Sequence, residues 1–530
     1  MPKRLVVFEP SGLRVAADAS FTILDAAREV GLHITNECGG RGTCGKCHVF
    51  VEPAGRPTRQ DIEKIPVTEL GKGARLACRH KTSRAIRVIL PQRAEEAKIL
   101  TEGVAGHWEL DSSLNGQFGI AIDLGTTTIA AFLLDLSDGV QLARAASLNP
   151  QNVFGDDIMS RITHVMREEN GAKVLQRRVV NELNQLATQL IQAAGVDAAE
   201  VTRVAVVGNT AMGHLLLGTD VTSLGLSPYA PKIYNAVTQR ARSIDLHIGE
   251  STELYVAPNI AGFVGGDTVA FILSQQLDST DDVTIGIDIG TNGEIVLSNH
   301  GELVCCSAAA GSAFEGASIH HGMRGQTGAI EHVIIHDANS QAEVTVIGDV
   351  APQGLCGSAI VDVVAEMKQA GLINTTGRIL EGSPMVESNE KLGLFYRVWK
   401  SDEPKQRKRI IFTQKDVRQV QLAKAAIQAG TRLLLEEIGL GVPDIDRVLL
   451  AGAFGNYISP KSALTIGLLP RVDISQIIPV GNAAGEGAKG LLLSLESRAK
   501  AERIARDTRH VDLAAHEDFQ SVFLDSIALV

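Results

Sequence analysis

Positive charge is in the minority in this 530-residue sequence: 50 Lys and Arg stand against 61 Asp and Glu, a net charge of −11. That balance argues against a protein that grips a phosphate backbone irrespective of sequence, so nucleic acid is not expected as a partner. Long hydrophobic runs are scarce too. The longest, Gly119 to Leu136, is broken by Asp123 and Asp135 and carries three consecutive threonines, which makes a poor membrane span. The amino terminus holds too short an apolar run for an export signal and no small-residue cleavage site follows, so a cytoplasmic location is expected. There is no Gly-x4-Gly-Lys-[Ser/Thr] loop, and the glycines from Gly116 to Gly125 do not make a dinucleotide fingerprint. Seven cysteines are too few for a disulfide scaffold, yet four of them fall within the first 78 residues. The remaining composition, 45% apolar and 21% charged, excludes a disordered, collagen-like or coiled-coil chain, and the length predicts about three to four domains.

Residues 3–18 read as two short strands about Pro10-Ser11-Gly12. Thr22 to Val30 then sets Ile23, Ala26, Ala27 and Val30 on one helical face, with Gly31 as a stop. Cys38-Gly-Gly-Arg-Gly-Thr-Cys44-Gly-Lys-Cys47 follows, then a strand His48 to Glu52, and finally Cys78 ahead of a strand Ala85 to Leu90. Four glycines let this loop curl tightly and aim backbone N–H groups at anionic sulfur. The spacing Cys-x5-Cys-x2-Cys with a remote fourth cysteine differs from the paired hooks of zinc ribbons. It is one residue longer than the plant-type Cys-x4-Cys-x2-Cys spacing. It favours a [2Fe–2S] cluster over a zinc knot or four unlinked thiols. Residues 1–92 resemble the ferredoxin-like β-grasp family, which implies that Cys38, Cys44, Cys47 and Cys78 are the cluster ligands and that the module holds one electron at a time.

Residues 93–116 are polar and weakly periodic, as expected of a linker. Beyond them two segments look alike, Ile120-Ala-Ile-Asp-Leu-Gly-Thr-Thr-Thr128 and Ile285-Gly-Ile-Asp-Ile-Gly-Thr-Asn-Gly293. Each reads as a buried strand that ends at an aspartate and turns on Gly-Thr. There, N–H groups and hydroxyls can meet phosphate oxygens while the carboxylate holds a metal or a water. Gly-rich breaks after apolar strands recur at Val204 to Thr210 and Val448 to Asn456. Over about residues 117–500 this set resembles the superfamily of acetate and sugar kinases, large heat-shock chaperones and actin. The resemblance implies an α/β multidomain protein whose duplicated ribonuclease-H-like lobes, 117–280 and 281–530, close over ATP and Mg²⁺. It implies Asp123 and Asp288 as catalytic carboxylates, and Gly125, Thr126 and Thr127 with Gly290, Thr291 and Asn292 as the phosphate motifs. Gly452, Ala453, Gly455 and Asn456 would form the adenosine turn. Helices after Gly262–Thr268 and Gly481–Gly487 would make the hinge. Asn292-Gly293 stands where many relatives carry a small hydroxyl pair, and Ala451 stands where the adenosine turn opens with glycine, so a duplicated lobe without ATP is the competing reading. Glu315, in a glycine-flanked loop after the second motif, is a candidate for orienting Mg²⁺ or water, against a helix cap.

Cys305, Cys306 and Cys356 read as core packing. His320-His321 reads as no metal site, because neighbours on a helix point apart, and Lys405 to Arg409 reads as a solvated loop. The order of domains as a whole resembles the reductive activators of corrinoid proteins. That resemblance implies ATP-dependent transfer of one electron to the Co(II) form of a corrinoid protein in a methyltransferase or demethylase system, fed by a low-potential donor. A homodimer is left open. An electron donor to another low-potential enzyme and a redox-regulated small-molecule kinase are the alternatives.

Overall fold

A computed structural model describes residues 3–9, 12–32, 34, 36, 38–90, 103, 106, 108–114, 116–290, 292–401 and 409–529. Strands β1 (Arg4–Glu9) and β2 (Leu13–Ala17) pair antiparallel; the expected turn residues Pro10 and Ser11 lie outside the described residues. Thr22 caps α1 (Ile23–Glu29) through a reciprocal box with Asp25, and Ile23, Leu24, Ala26 and Ala27 bury its inner face. After β3 (His48–Glu52) come α2 (Arg59–Lys64), α3 (Val67–Leu70) and β4 (Ala74–Leu76), elements too short to show a period in the sequence, and then β5 (Ile86–Ile89). The sheet order is β2-β1-β5-β3-β4 with β1 and β5 parallel at its centre, a β-grasp.

The rest of the chain builds one arrangement twice. The first lobe holds β6 (Phe118–Leu124), β7 (Thr128–Asp135), β8 (Gln141–Leu148), α4 (Ile158–Arg167), α5 (Gly171–Ala194), β9 (Val201–Gly208), α6 (Thr210–Leu216), β10 (Val237–Arg240), β11 (Glu253–Val256) and α7 (Gly266–Ser274). The second opens with β12 (Val283–Ile289), β13 (Gly293–Asn299) and β14 (Glu302–Ala308). Two small sheets flank α8 (Gly357–Gln369): β15 (Ala329–Ile334), β16 (Glu343–Val346) and β17 (Gly354–Leu355), then β18 (Val386–Asn389), β19 (Gly393–Lys400) and β20 (Arg409–Thr413). It continues with α9 (Gln414–Glu437), β21 (Arg447–Ala451), α10 (Gly452–Tyr457), α11 (Pro460–Ile466), β22 (Ile477–Gly481), α12 (Ala483–Leu493), α13 (Leu495–Asp507), β23 (Arg509–His510) and α14 (Phe519–Asp525). Strands β8-β7-β6-β9-β11 and β14-β13-β12-β21-β22 share one order, with the leading hairpins antiparallel and the crossover strands parallel. These are duplicated ribonuclease-H-like lobes. Their central strands are buried on both faces, which is why Val204 to Val207 is a continuous apolar run.

Helices α7 and α12 pack on each other, and α12, late in the sequence, lies on β6 and β9 of the first lobe. The approach is close: a Cβ on Gly487 would come within 2.1 Å of the Ala270 carbonyl oxygen. The β-grasp module sits against the first lobe, where Arg28 Nε donates to the Val153 carbonyl at 2.7 Å and the Arg178 guanidinium donates to the Arg28 carbonyl. Most of the expected linker and of the basic run lies outside the described residues. Gly103, however, bridges to Gly481, and the Trp108 ring lies over Gly490 of α12. No helix among the described residues is long and apolar enough to cross a membrane.

Candidate functional site

The cysteine loop leaves α1 and bends at Gly39, Gly40, Gly42 and Gly45, all at positive φ. At Gly42 the left-handed backbone (φ +77°) favours glycine, and a Cβ there would also have to displace the Arg79 guanidinium, 2.1 Å away. The four sulfurs gather as two pairs, Cys38 with Cys44 at 3.4 Å and Cys47 with Cys78 at 3.3 Å. Among the described residues no three His, Cys, Asp or Glu side chains converge on a single ion. Two pairs match a two-iron centre, in which each metal takes two thiolates, better than a mononuclear zinc taking four. Electrostatics has the same two-pair form. The Cys44 thiol donates to Cys38 and, with backbone N–H groups of Thr43 and Cys44, draws the Cys38 thiol down to about 3; the same bond pushes Cys44 up. Cys47 likewise donates to Cys78, which is lowered while Cys47 is raised. Each pair is thus set to hold a cation once its one proton leaves.

The second site is a cleft of about 310 Å³ between the lobes, within the size range of small-molecule pockets. In the first hairpin β6 brings Asp123, and Gly125, Thr126 and Thr127 form the turn into β7. In the second, β12 brings Asp288, followed by Gly290 and Asn292 at the turn into β13. Thr291 lies outside the described residues. Glu315 reaches across, and the Thr127 hydroxyl donates to its Oε1 at 3.4 Å. Gly452 lies at φ +80°, and a Cβ there would sit 2.4 Å from Asp288 Oδ1, so the start of α10 presses its backbone on that carboxylate. Ala453, Gly455 and Asn456 continue along α10. Gly455 lies against Leu450 of β21, and the side chains of Ala453 and Asn456 are outside what is described.

Burial and mutual repulsion charge this cleft with strain. Burial, with Asp267 adding repulsion, pushes Asp123 up to about 7 against the relief of Asn482, whose Nδ2 donates to it at 3.0 Å. Asp288 is pushed up to about 7 by burial and then by Asp267 and Asp123, while burial pushes Asp267 up to about 6. Glu294, next to Gly293 and paired in register with Asp288, is raised well above its usual range by burial, then by Asp267 and Asp288. Two asparagines serve alike. Asn209 caps α6 and donates to Thr126 Oγ1 at 2.9 Å, while Asn482 caps α12 and donates to Asp123. Fully buried Arg161 of α4 donates to the carbonyls of Thr126 and Gly155 and to the side chains of Gln151 and Asn152, bracing the first turn.

Asp267, Glu294, Asn482, Asn209 and Arg161 are not among the sequence candidates. Asp267 and Asn482 lie inside segments read only as hinge, and Asn209 inside one read only as a glycine-rich break. Glu294 stands one position beyond the second motif. The reading of the remaining residues needs two corrections. His320 and His321 lie in a turn, not a helix, with ring centroids 4.6 Å apart, so they do not point apart. Cys356 is buried but lines the cleft at the cap of α8, whereas Cys305 and Cys306 are core residues of β14.

Comparison with known proteins gives three family models along the chain. A 2Fe-2S iron-sulfur cluster binding domain matches residues 6–83, a RACo middle region matches 118–280, and the C-terminal domain of RACo, the ASKHA domain, matches 282–530. The corrinoid activation enzyme RamQ of Eubacterium limosum is 37% identical over 418 residues, covering 77% of this chain and 69% of that protein. The [Co(II) methylated amine-specific corrinoid protein] reductase of Methanosarcina barkeri is 24% identical over 442 residues, covering 77% and 76%. A solved structure of a reductive activator for corrinoid, iron-sulfur protein superposes with a TM-score of 0.70 at 30% identity, covering 99% of this chain and 98% of that one.

Proposed function

The chain belongs to the RACo family of corrinoid activators, and we propose that it is an ATP-dependent reductive activator, passing one electron to the Co(II) form of a corrinoid protein to restore Co(I). The observation that carries this reading is the presence, in one chain, of two cysteine pairs and a two-lobed acidic cleft, with the whole fold shared by a named activator. Cys38, Cys44, Cys47 and Cys78 would hold a [2Fe–2S] cluster, which supplies one-electron storage, near −400 mV in plant-type ferredoxins. Thr126, Thr127 and the Gly290–Asn292 turn would hold the phosphates of ATP, and Gly452 the adenosine side. Asp123 and Asp288, with Glu315 across the cleft, would hold Mg²⁺ through its waters. An ion that keeps several waters needs only one or two carboxylates, in keeping with acids that share the cleft without caging a point. A coupling of about 1–3 kcal/mol between nucleotide and partner is about 40–130 mV for one electron at 59 mV per tenfold, enough to move an unfavourable transfer toward completion.

The test mixes the cluster-loaded chain with a Co(II) corrinoid protein, a low-potential reductant and Mg-ATP and follows the visible bands. Co(I) grows in with ATP and not without it. Equal yields in both arms, or no Co(I) across a panel of corrinoid proteins, overturn the proposal.

A further inference from the structure

Lys46 stands between two of the cluster-loop cysteines, but its side chain leaves the β-grasp module. Its Nζ donates to the carbonyls of Ile319 at 3.2 Å and Gly322 at 3.3 Å, in a turn of the second lobe, while its backbone N–H faces the Cys44 sulfur. That turn is not free to shift alone. A Cβ on Gly322 would lie 2.0 Å from the Gly316 carbonyl oxygen, and one on Gly316 would lie 2.7 Å from the Met323 nitrogen, so the segment carrying Glu315 and the segment leading to Arg324 are stacked backbone on backbone. Glu315 accepts from Thr127 of the first phosphate turn, and Arg324 lines the cleft and pairs with Asp156 of the first lobe at 3.2 Å. One ammonium therefore joins the cysteine loop to a second-lobe turn whose neighbours Glu315 and Arg324 contact the first lobe across the cleft.

We propose that Lys46 is a positioning residue that couples the redox state of the cysteine loop to nucleotide affinity, an inference that rests on the cluster and ATP assignments above. Its ammonium bonds two neutral carbonyls. A low-potential reductant giving one electron to the cluster that these cysteines would hold would break no bond and would leave the loop with one more negative charge. A charge-assisted partner then competes with those carbonyls for Lys46. Drawing Lys46 back loosens the turn under Glu315 and Arg324 and weakens nucleotide binding. By reciprocity, nucleotide that fixes the turn holds Lys46 away from the loop and makes the electron easier to give up. The electron leaves to Co(II) of the partner, which becomes Co(I).

Mg-AMPPNP is titrated anaerobically into the full-length, cluster-loaded protein, oxidised and dithionite-reduced, and the midpoint potential is measured with and without it. Nucleotide is expected to bind the oxidised form about three- to tenfold more tightly and to lower the potential by the matching amount, a tenfold ratio being about 59 mV. In Lys46→Ala the ratio falls to one at unchanged cluster content; in Lys46→Arg, whose guanidinium can reach the same carbonyls, it returns. Equal affinities in the wild type, a ratio that survives in Lys46→Ala, or failure of Lys46→Arg to restore it overturns the inference and leaves the proposed function standing. A protein that takes up no cluster or no nucleotide overturns both.

Discussion

Asp288 shows what the cleft costs the protein when it is empty of cations. Its carboxyl is pushed up to about 7 by burial and by Asp267 and Asp123, against about 3.9 in an unfolded chain. A raised acid binds its proton more tightly folded than unfolded. Its contribution to stability is therefore fully kept below about pH 4 and is lost as the pH climbs through about 7. The full difference is worth at most about 4 kcal/mol. In chelator, Asp288→Asn is thus expected to melt about 2–4 °C above the wild type at pH 8 and level with it at pH 4. With Mg-ATP the order is expected to reverse, because under the proposed assignment Asp288 would help hold the cation and the variant would lose that stabilisation. Melting curves across this pH range check it, and a variant that melts below the wild type at pH 8 in chelator contradicts the repulsion.

Among elements, closeness of backbone decides what a residue tolerates. Gly487 of α12 abuts the Ala270 carbonyl of α7, where a Cβ would sit at 2.1 Å, whereas the nearest atom to a Cβ on Gly213 of α6 is Val256 Cγ1 at 3.8 Å. Gly487→Ala must separate a pair of helices on which both lobes bear and is expected to cost about 1–3 kcal/mol and to weaken ATP binding. Gly213→Ala, in a helix with room, should be neutral or stabilising by about 0.4–1 kcal/mol. Denaturant midpoints for the pair measure both. The same contrast explains how much was legible. The Ile-x-Ile-Asp-x-Gly-Thr hairpins were readable because strand, aspartate and turn are contiguous, and the cysteine loop because glycine and sulfur alternate within ten positions. Asp267 and Asn482, which line the cleft, and Arg161, which braces its first turn from behind, were not, because each comes from an element distant in sequence. Asn482 and Asn209 show only a cap signal locally, and their second role exists once α12 and α6 are docked. The two small sheets of the second lobe stayed hidden for another reason: their strands are mostly short, two to six residues apart from β19, and their burial patterns follow no shared period, from alternating in β16 to continuously buried in β20.

At the scale of the whole molecule, the β-grasp module is tied to parts that nucleotide closure would move relative to one another. Arg28 and Arg178 fasten it to the first lobe, Lys46 to the second, and the linker to the β22–α12 junction, where Gly103 bridges Gly481 of β22 beside Asn482 and Trp108 covers Gly490 of α12. A linker anchored beside the residue that contacts Asp123 would transmit lobe motion, where a slack one would not. Trp108→Ala removes the anchor while leaving both sites intact, so cluster spectrum and Mg-nucleotide affinity should stay within about twofold of the wild type as ATP-dependent Co(I) formation falls several-fold. Gly490→Ala arrives at the same state from the other side, since a Cβ there would lie 2.6 Å from the Trp108 ring and expel it. If both act by freeing one strap, the double variant is no worse than either single, a non-additivity expected of residues in contact. Additive losses in Co(I) formation would instead mean that the two side chains act separately and that the linker is not a transmission element.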